Sequence, residues 1–226
     1  MNALGHPRLH LRATTSTNDR ARELAQAGAP HGTLVTASEQ SAGRGRQGRT
    51  WSAPAGQALL MSLVLDRPPL LLPLAAGVAI AEVAGPSARL KWPNDVLVED
   101  RKVAGILAES RPPAGWVVLG IGVNVAVRVD DLPPELHGTA GTLGLRPVDV
   151  EPTLERVLAE LERVLALEAA ALLDAYRARD ALRGREISWS GGRGRAAGID
   201  GAGHLVVELP DGGRSALAAG EVHLTG

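Results

Sequence analysis

The chain has 226 residues, a formal net charge of -1 at pH 7 and no cysteine. The absence of cysteine excludes disulfides, thiolate nucleophiles and cysteine-ligated metal or iron–sulfur sites, and it indicates a reducing compartment such as the cytoplasm. The near-neutral charge offers no general basic field for nucleic acid, and no apolar run reaches the roughly 20 residues that span a bilayer.

The N-terminal segment predicts a strand followed by a helix. Residues 9–12 alternate between apolar and polar side chains, which is typical of a strand. The helix is expected to begin at Ser16, which has capping-box spacing to Asp19, and to end before Gly28. The small polar residues 16–18 either cap the helix, which is the commoner arrangement, or face a pocket. In the pocket, they and the helix N–H groups would bind an uncharged polar ligand.

A glycine-arginine block follows the second predicted strand, residues 33–37. Three glycines alternate with three arginines in residues 43–49. In such a loop, glycine lets successive backbone N–H groups point at one oxyanion, and arginine supplies a charged side chain that can bind it in bidentate fashion. We expect the loop to be mobile until a ligand binds. A solvated basic loop and an RNA contact are the alternatives. Trp51 either stacks on a nucleobase or anchors the next strand, residues 58–65.

The only two lysines of the chain, Lys91 and Lys102, lie close together, whereas every other basic residue is arginine. A lysine is not replaceable by arginine where a compact charge must reach an oxygen in a tight site. They follow a buried helix expected at residues 73–83. Residues 92–95 predict a turn, and a reversal is expected at residues 100–101, so both lysines point into one cleft. A plain β-turn is the alternative for residues 92–95.

A further strand is predicted at residues 116–125, after a turn at residues 112–115. Gly120 and Gly122 lie two residues apart and therefore share one face of this strand, which Asn124 continues. Glycine inside a strand marks the close approach of a ligand or of another element, and the segment alone favours neither.

The C-terminal third predicts helix and then short strands. Residues 152–182 carry leucines at helical spacing, which indicates a core-facing stripe. Residues 186–218 contain short strands and glycine turns, which indicate a small β-barrel of about five strands. The glycine-arginine tetrad recurs at residues 192–195, where we interpret it as turn chemistry. No pair of histidines has metal-ligand spacing.

Taken together, these motifs resemble those of the biotin–protein ligases. The matching segments are residues 16–18, 43–51, 91–107 and 120–124. The resemblance implies an α+β fold with a central mixed or antiparallel sheet and flanking helices. This class II synthetase-like catalytic domain would span residues 1–182, and residues 183–226 would form a small SH3-like β-barrel.

The resemblance also implies an activity. Such an enzyme uses ATP and Mg²⁺ to activate biotin as biotinyl-5′-AMP, and it transfers biotin to a lysine of a biotin carboxyl carrier protein domain. The expected location is cytoplasmic, with no membrane partner. Only fifteen residues precede Ser16, too few for the DNA-binding helix-turn-helix of some family members, so DNA binding is not expected. A homodimer stays open, as does the base that deprotonates the acceptor lysine.

The resemblance assigns roles to individual residues. Those implied for biotin binding are Ser16, Thr17, Asn18, Gln40, Arg44, Gly45, Arg46, Lys102, Gly105 and Gly120. Those implied for ATP or the adenylate are Trp51, Lys91, Asn94 and Asn124. Those implied for catalysis are Lys102, Arg44 and Lys91. Asp95 would either fix Lys91 or hold a metal-bound water.

Two other functions stay open. A lipoate- or octanoate-attaching relative would share the fold, but the octanoyl-transferring kind is thought to use a cysteine, which is absent here. The lipoate-ligating kind lacks the glycine-arginine block. Outside the enzymes, the arginine loop could belong to an RNA-binding module, and the near-neutral net charge weighs against it.

Overall fold

Two sheets, one of seven strands and one of five, organise the part of the chain that the structure describes. The computed structural model describes residues 4–110 and 115–225, so the turn predicted at residues 112–115 lies largely outside them. In chain order, the strands and α-helices are β1 (Arg8–Leu11), α1 (Thr17–Gln26), β2 (Leu34–Ala37), β3 (Ala58–Asp66), α2 (Leu72–Ala84), β4 (Arg89–Lys91), β5 (Asp95–Val98), β6 (Arg101–Ser110), β7 (Trp116–Asn124), α3 (Val150–Leu165), α4 (Ala169–Ala178), β8 (Glu186–Trp189), β9 (Gly192–Ile199), β10 (Leu205–Glu208), β11 (Arg214–Leu217) and β12 (His223–Leu224).

The seven-stranded sheet is mixed, as predicted. Its strand order is β1-β2-β3-β7-β6-β5-β4, and among the described strands only β1 and β2 are parallel neighbours. β3 and β7 pair along their whole length, from Ala58 opposite Asn124 to Asp66 opposite Trp116. Both faces of β3 are covered, and all of its residues except Asp66 are buried, which explains its nearly continuous apolar sequence.

Helices cover both faces of this sheet. On one face, Ala21 and Ala25 of α1 pack against Val35, Val64 and Val118. On the other face, the sheet, α3 and α4 enclose α2, so α2 is buried nearly all round, as its sequence predicted. None of the helices in residues 4–110 and 115–225 combines the length and apolar character that crossing a membrane requires.

The C-terminal strands form an antiparallel sheet in the order β11-β10-β9-β8-β12. The sequence predicted β8 to β11 but not the two-residue strand β12. Ile187, Leu205 and Val207 of this sheet join the same core as the seven-stranded sheet. The indole Nε1 of Trp92 donates a hydrogen bond to the carbonyl of Gly203 across the junction, at 3.1 Å. The two sheets therefore share one continuous core in the described residues.

The helical region expected at residues 152–182 is two helices, α3 and α4, and not one. Glu168 has extended backbone angles and interrupts the helix, although no glycine or proline marks the position. The break allows α3 to pack on α2 and α4 to contact both α2 and β9. Tertiary packing therefore overrides local helix propensity here.

The capping box predicted at the start of α1 is wrong. Ser16 occupies the N-cap position with extended backbone angles, but its side chain makes no capping hydrogen bond in the described residues. The carboxylate of Asp19 instead accepts hydrogen bonds from Arg22 and Arg44. Charged donors are stronger partners than a backbone N–H, and in the described residues the N–H groups of Asn18 and Asp19 in the first turn of α1 have no acceptor.

Candidate active site

A cleft of about 320 Å³ lies between the start of α1, the loop after β2 and the strands β4 to β7. It brings together every residue for which the sequence indicated a role in binding or catalysis. The residues are Ser16, Thr17, Asn18, Gln40, Arg44, Gly45, Arg46, Trp51, Lys91, Asn94, Asp95, Lys102, Gly105, Gly120 and Asn124. Distant segments of the chain thus converge on one site.

One end of the cleft is a buried polar layer under the start of α1. The backbone N–H and the hydroxyl of Thr17 both donate to Gln40 Oε1, at 2.6 and 3.0 Å. Since Gln40 Oε1 is occupied in this way, the amide nitrogen of Gln40 is left to donate to a ligand. The fully buried Ser62 lies beneath, with its Oγ 2.8 Å from Thr17 Oγ1 and 2.6 Å from Asn18 Oδ1. Ser62 was not among the residues predicted from the sequence.

A network of charged side chains adjoins this polar end. Asn18 Nδ2 donates to Glu109 Oε2 at 2.8 Å, and Arg22 donates to the same oxygen at 2.9 Å. Arg22 and Arg44 both donate to Asp19, at 2.6 and 2.7 Å, and Arg44 forms an ion pair with Glu109 at 3.3 Å. Burial opposes the ionisation of Asp19, but the hydrogen bonds from Arg22 and Arg44 outweigh it and lower the pKa of Asp19. Neither Glu109 nor Arg22 was predicted from the sequence.

Glycines on β6 and β7 make room for two side chains of this chain. A Cβ at Gly120 would collide with the amide of Asn18, and a Cβ at Gly122 would lie 2.5 Å from Trp51 Cε2. A Cβ at Gly105 would lie 3.0 Å from Trp51 Cζ3. Asn18 and Trp51 therefore lie directly on the sheet backbone, and this close approach accounts for glycine at these strand positions.

The two lysines have different environments. Lys102 Nζ lies 2.6 Å from Asp95 Oδ1 and 5.7 Å from the centroid of the Trp51 ring. Of the two roles expected for Asp95, fixing a lysine therefore applies to Lys102 and not to Lys91. In the described part of the chain, no carboxylate lies within 4.0 Å of the Lys91 ammonium, which is available to an anion in the cleft.

Two asparagines line the cleft with their amide nitrogens bound to backbone carbonyls. Asn94 Nδ2 donates to the carbonyl of Ile106 at 3.1 Å, and Asn124 Nδ2 donates to the carbonyl of Gly141 at 2.8 Å. Asn124 Oδ1 is buried and has no hydrogen-bond partner among the described residues. Within residues 4–110 and 115–225, no group of three His, Asp or Glu residues could hold a metal ion.

The glycine-arginine block folds back on itself beside the cleft. The backbone N–H of Gly45 donates to the carbonyl of Arg49 at 2.7 Å, and that of Trp51 donates to the carbonyl of Gly43 at 2.9 Å. Gln47 at the tip has a positive φ of 55°. We call residues 43–51 the arginine loop. The predicted mobility of this loop before ligand binding stays a prediction.

The C-terminal sheet also contributes to the cleft, which the sequence did not indicate. Glu221 and His223 line it. Arg49 of the arginine loop donates to Glu221 at 2.6 Å, and Arg46 donates to the carbonyl of Gly220 at 3.4 Å. The arginine loop is therefore held between α1 on one side and the segment between β11 and β12 on the other.

The opposite end of the cleft is more apolar and was also missed. It lies at the segment that follows β7 and contains several short 3-10 turns. The lining residues there are Leu60, Leu132, Leu136, Thr139 and Ala140. Leu60, Leu132 and Ala140 belong to one buried cluster, against which Trp51 packs. The sequence carries no helical or strand period in this segment that could have revealed it.

A second, more open concavity of about 470 Å³ lies on the C-terminal sheet. Arg183, Arg195 and Arg214 line it together with Glu208 and small residues of β9. None of the residues that the sequence singled out for binding lines this concavity. The chemistry expected from the sequence is therefore confined to the cleft beside the arginine loop.

Comparison with known proteins gives concordant matches. A model of the biotin/lipoate A/B protein ligase family matches residues 11–125. The biotin–[acetyl-CoA-carboxylase] ligase of Mycobacterium tuberculosis is 38% identical over 232 residues, covering 92% of this chain and 85% of that protein. The bifunctional ligase/repressor BirA of Bacillus subtilis is 42% identical over 142 residues, covering 57% of this chain and 43% of that protein. The match thus spans less than half the length of BirA.

Solved structures agree with this fold. The biotin protein ligase from Aquifex aeolicus in complex with biotin and ATP superposes with a TM-score of 0.83 and 27% identity. The match covers 97% of this chain and 99% of that one, so it includes the C-terminal sheet.

Proposed function

The chain belongs to the biotin/lipoate A/B protein ligase family, and from this premise we propose that it is a biotin–protein ligase. It would activate biotin with ATP to biotinyl-5′-AMP and transfer biotin to a lysine of a biotin carboxyl carrier protein. The observation that carries the proposal is the single cleft in which Lys91, Lys102 and the arginine loop meet the polar start of α1.

The polar end of the cleft suits the uncharged ureido ring of biotin. That ring offers one carbonyl acceptor and two N–H donors. The Ser16 hydroxyl, the N–H groups of Asn18 and Asp19, and the amide nitrogen of Gln40 would supply donors for the carbonyl. None of these groups carries a full charge, so the ring would be held by hydrogen bonds and not by an ion pair.

The first step joins two anions. A carboxylate oxygen of biotin attacks the α-phosphorus of ATP, a new P–O bond forms, and the bond to the pyrophosphate leaving group breaks. Lys102 would neutralise the carboxylate, Lys91 would neutralise the phosphates, and Arg46 with the backbone N–H groups of the arginine loop would stabilise the charge that moves between them. Fixed charges in a closed cleft supply both the positioning and the electrostatic stabilisation of this reaction.

The residues present fit a Mg²⁺ ion that enters with ATP. Mg²⁺ is usually held by one or two protein oxygens together with substrate phosphates, so it needs no cluster of carboxylates. The unpartnered Oδ1 of Asn124 and the carboxylate of Asp95 line the cleft and are the oxygens that would hold it. When bound, the ion would screen the phosphate charges. Trp51 would stack on adenine, with Asn94 orienting the nucleotide.

In the second step, the amine of the carrier lysine attacks the acyl carbon of the adenylate and AMP leaves. The adenylate must be protected from water until then, because hydrolysis would waste it. The arginine loop, which is bound to α1 through Arg44 and to the segment between β11 and β12 through Arg49, would supply that protection. We also propose that residues 1–182 form the catalytic domain and residues 183–226 a C-terminal domain that completes the cleft.

The decisive experiment incubates the protein with ATP, Mg²⁺, labelled biotin and a carrier domain. We expect label on the carrier lysine and release of AMP and pyrophosphate. Since the family model also describes lipoate ligases, unlabelled lipoate and unlabelled biotin are added as competitors in parallel. Competition by lipoate alone, or an absence of pyrophosphate release with biotin, would contradict the proposal.

Lys102→Arg tests the central role of the ammonium. Arginine keeps the charge, but its planar guanidinium does not fit the compact position between Asp95 and Trp51, so we expect biotin-dependent ATP–pyrophosphate exchange to fall by about 100-fold. Thermal unfolding should be nearly unchanged. The control is Arg185→Lys, which exchanges the same two residue types at a position that pairs with Asp100 outside the cleft. A near-normal exchange rate in Lys102→Arg would remove the role of Lys102.

A further inference from the structure

Glu109 on β6 contacts three side chains, two from α1 and one from the arginine loop. Its Oε2 accepts hydrogen bonds from Asn18 at 2.8 Å and from Arg22 at 2.9 Å. Its Oε1 forms an ion pair with Arg44 at 3.3 Å. Glu109 itself does not line the cleft. It therefore links the polar end of the cleft, through Asn18, to the arginine loop, through Arg44.

The network leaves little of Arg44 for a ligand. One terminal nitrogen of Arg44 donates to Asp19 at 2.7 Å, and the other contacts Glu109. Two arginines and two carboxylates balance within the network, so Arg44 carries no excess charge into the cleft. Arg44 therefore holds the arginine loop to α1 and β6, and the substrate anions are left to Arg46 and the lysines.

Asn18 is held so that its position depends on Glu109. Ser62 lies 2.6 Å from Asn18 Oδ1, and the backbone of Gly120 lies directly against the amide. The amide nitrogen must then face Glu109, because the oxygen faces Ser62. A ligand that fixes Asn18 at the polar end would also fix the carboxylate of Glu109, and with it the position that Arg44 occupies.

We propose that Glu109 is a positioning residue that couples occupation of the polar end of the cleft to closure of the arginine loop. This proposal rests on the proposed function, since biotin is the ligand whose ring would occupy the polar end. Glu109 touches neither substrate in this scheme. It acts through Asn18 and Arg44, so its removal should separate ligand binding from loop closure.

Limited trypsin digestion reads loop closure directly, because Arg44, Arg46 and Arg49 are cleavage sites within the loop. In the parent protein, we expect biotin to slow cleavage of the loop by about tenfold, a typical size for coupling between two sites. Glu109→Gln keeps an oxygen acceptor for Asn18 but loses the charge that holds Arg44. We expect this variant to lose most of the protection from trypsin and, because coupling between two sites is reciprocal, to bind biotin up to about tenfold more weakly than the parent in calorimetry.

The matched control is Glu208→Gln, which removes a strand carboxylate paired with Arg214 at 2.8 Å on the C-terminal sheet. It should retain full protection. If biotin binds to Glu109→Gln and protects its loop as in the parent, the coupling role of Glu109 is disproved while the proposed function stands. If the parent protein itself binds no biotin, the proposed function fails, and the coupling proposal that rests on it fails with it.

A double-mutant cycle with Arg44→Gln separates coupling from general damage. The rate at which free biotinyl-adenylate leaves the protein is measured for the parent, the two single variants and the double variant. Coupling through one ion pair predicts that the double variant releases the adenylate no faster than the worse single variant. Additive effects of the two substitutions would overturn the proposal.

Discussion

The tetrad Gly-Arg-Gly-Arg occurs twice in this chain, and the two copies have different structures. Residues 43–46 belong to the arginine loop, whose arginines contact Asp19, Glu109 and the carbonyl of Gly220. Residues 192–195 begin β9 and pair regularly with β8 across a hairpin. The first copy borders the cleft and the second borders an open concavity.

The two copies nevertheless use glycine for the same steric reason. A Cβ at Gly43 would collide with the carbonyl oxygen of Trp51, and a Cβ at Gly194 would collide with the carbonyl oxygen of Glu208. Backbone crowding therefore explains glycine in both copies, whereas the partners of the arginines differ. The surfaces around the arginines, and not the tetrad sequence, therefore decide the chemistry of this motif.

The largest expected contrast is between Arg46→Ala and Arg195→Ala. Arg46 lines the cleft, and if it stabilises the reacting phosphate as we propose, its loss should lower ATP–pyrophosphate exchange by about 100-fold. Arg195 donates to the carbonyl of Gly184 on the C-terminal sheet, so its loss should leave exchange within about twofold. Equal losses in the two variants would show that the two tetrads do not differ in function.

A smaller effect is expected for Arg44→Gly. Without the contacts to Asp19 and Glu109, the loop is held less firmly, and free biotinyl-adenylate should escape about tenfold faster. Arg193→Gly makes the same replacement at the equivalent position of the second tetrad and should release adenylate at the parent rate. If Arg44→Gly retained the adenylate as firmly as the parent does, Arg44 would not be the residue that holds the loop closed.

Substitution of one glycine in each tetrad separates an effect on stability from an effect on the arginine loop. Gly43→Ala and Gly194→Ala should each destabilise the protein by about 1–3 kcal/mol, because each added methyl group forces the backbone apart. Only Gly43→Ala should also impair adenylate retention, since it displaces the arginine loop. Urea unfolding measures the first quantity and adenylate release the second. A Gly194→Ala variant that leaked adenylate would blur the distinction between the copies.

The smallest effect concerns pH. The pKa of Asp19 is lowered in the folded protein, so the contribution of Asp19 to stability is complete above the ordinary pKa of about 3.9 and is lost as pH falls through the folded-state value. The difference in unfolding free energy between the parent and Asp19→Asn should therefore be present at neutral pH and shrink below about pH 3.9. The carbonyl that binds Arg195 does not titrate, and Arg195→Ala should show no such change. An Asp19→Asn difference independent of pH would contradict this assignment.

The sequence revealed the site residues whose chemistry is unusual for their surroundings. Two lysines in an arginine-rich chain and alternating glycines and arginines are signals that need no knowledge of distant contacts. Glu109 and Arg22 carry no such signal, because glutamate and arginine are common and their meeting depends on the packing of α1 on β2, β3 and β7, next to β6. Ser62 was detectable in principle, since it is the one polar residue in an otherwise apolar stretch from Ala58 to Leu65.

Most strands and the buried helix α2 were also predictable, because their apolar patterns are local. The break between α3 and α4 was not, since it follows from how each helix packs on α2 and not from a glycine or proline. Strand β12 is too short to carry a pattern, although it brings His223 to the cleft. The capping box failed because arginines from the same helix and from a distant loop competed for Asp19.

Lys91 and Trp92 are neighbours in the chain but face in opposite directions. Lys91 lines the cleft, whereas Trp92 is buried and bonds to Gly203 in the turn between β9 and β10. A fragment ending at residue 182 would leave the indole donor of Trp92 without that acceptor and expose apolar surface beneath the lysine. Truncation would therefore weaken the packing that supports Lys91. If the C-terminal sheet were exchanged between relatives, this support would persist only if the incoming turn placed a carbonyl within reach of the Trp92 indole.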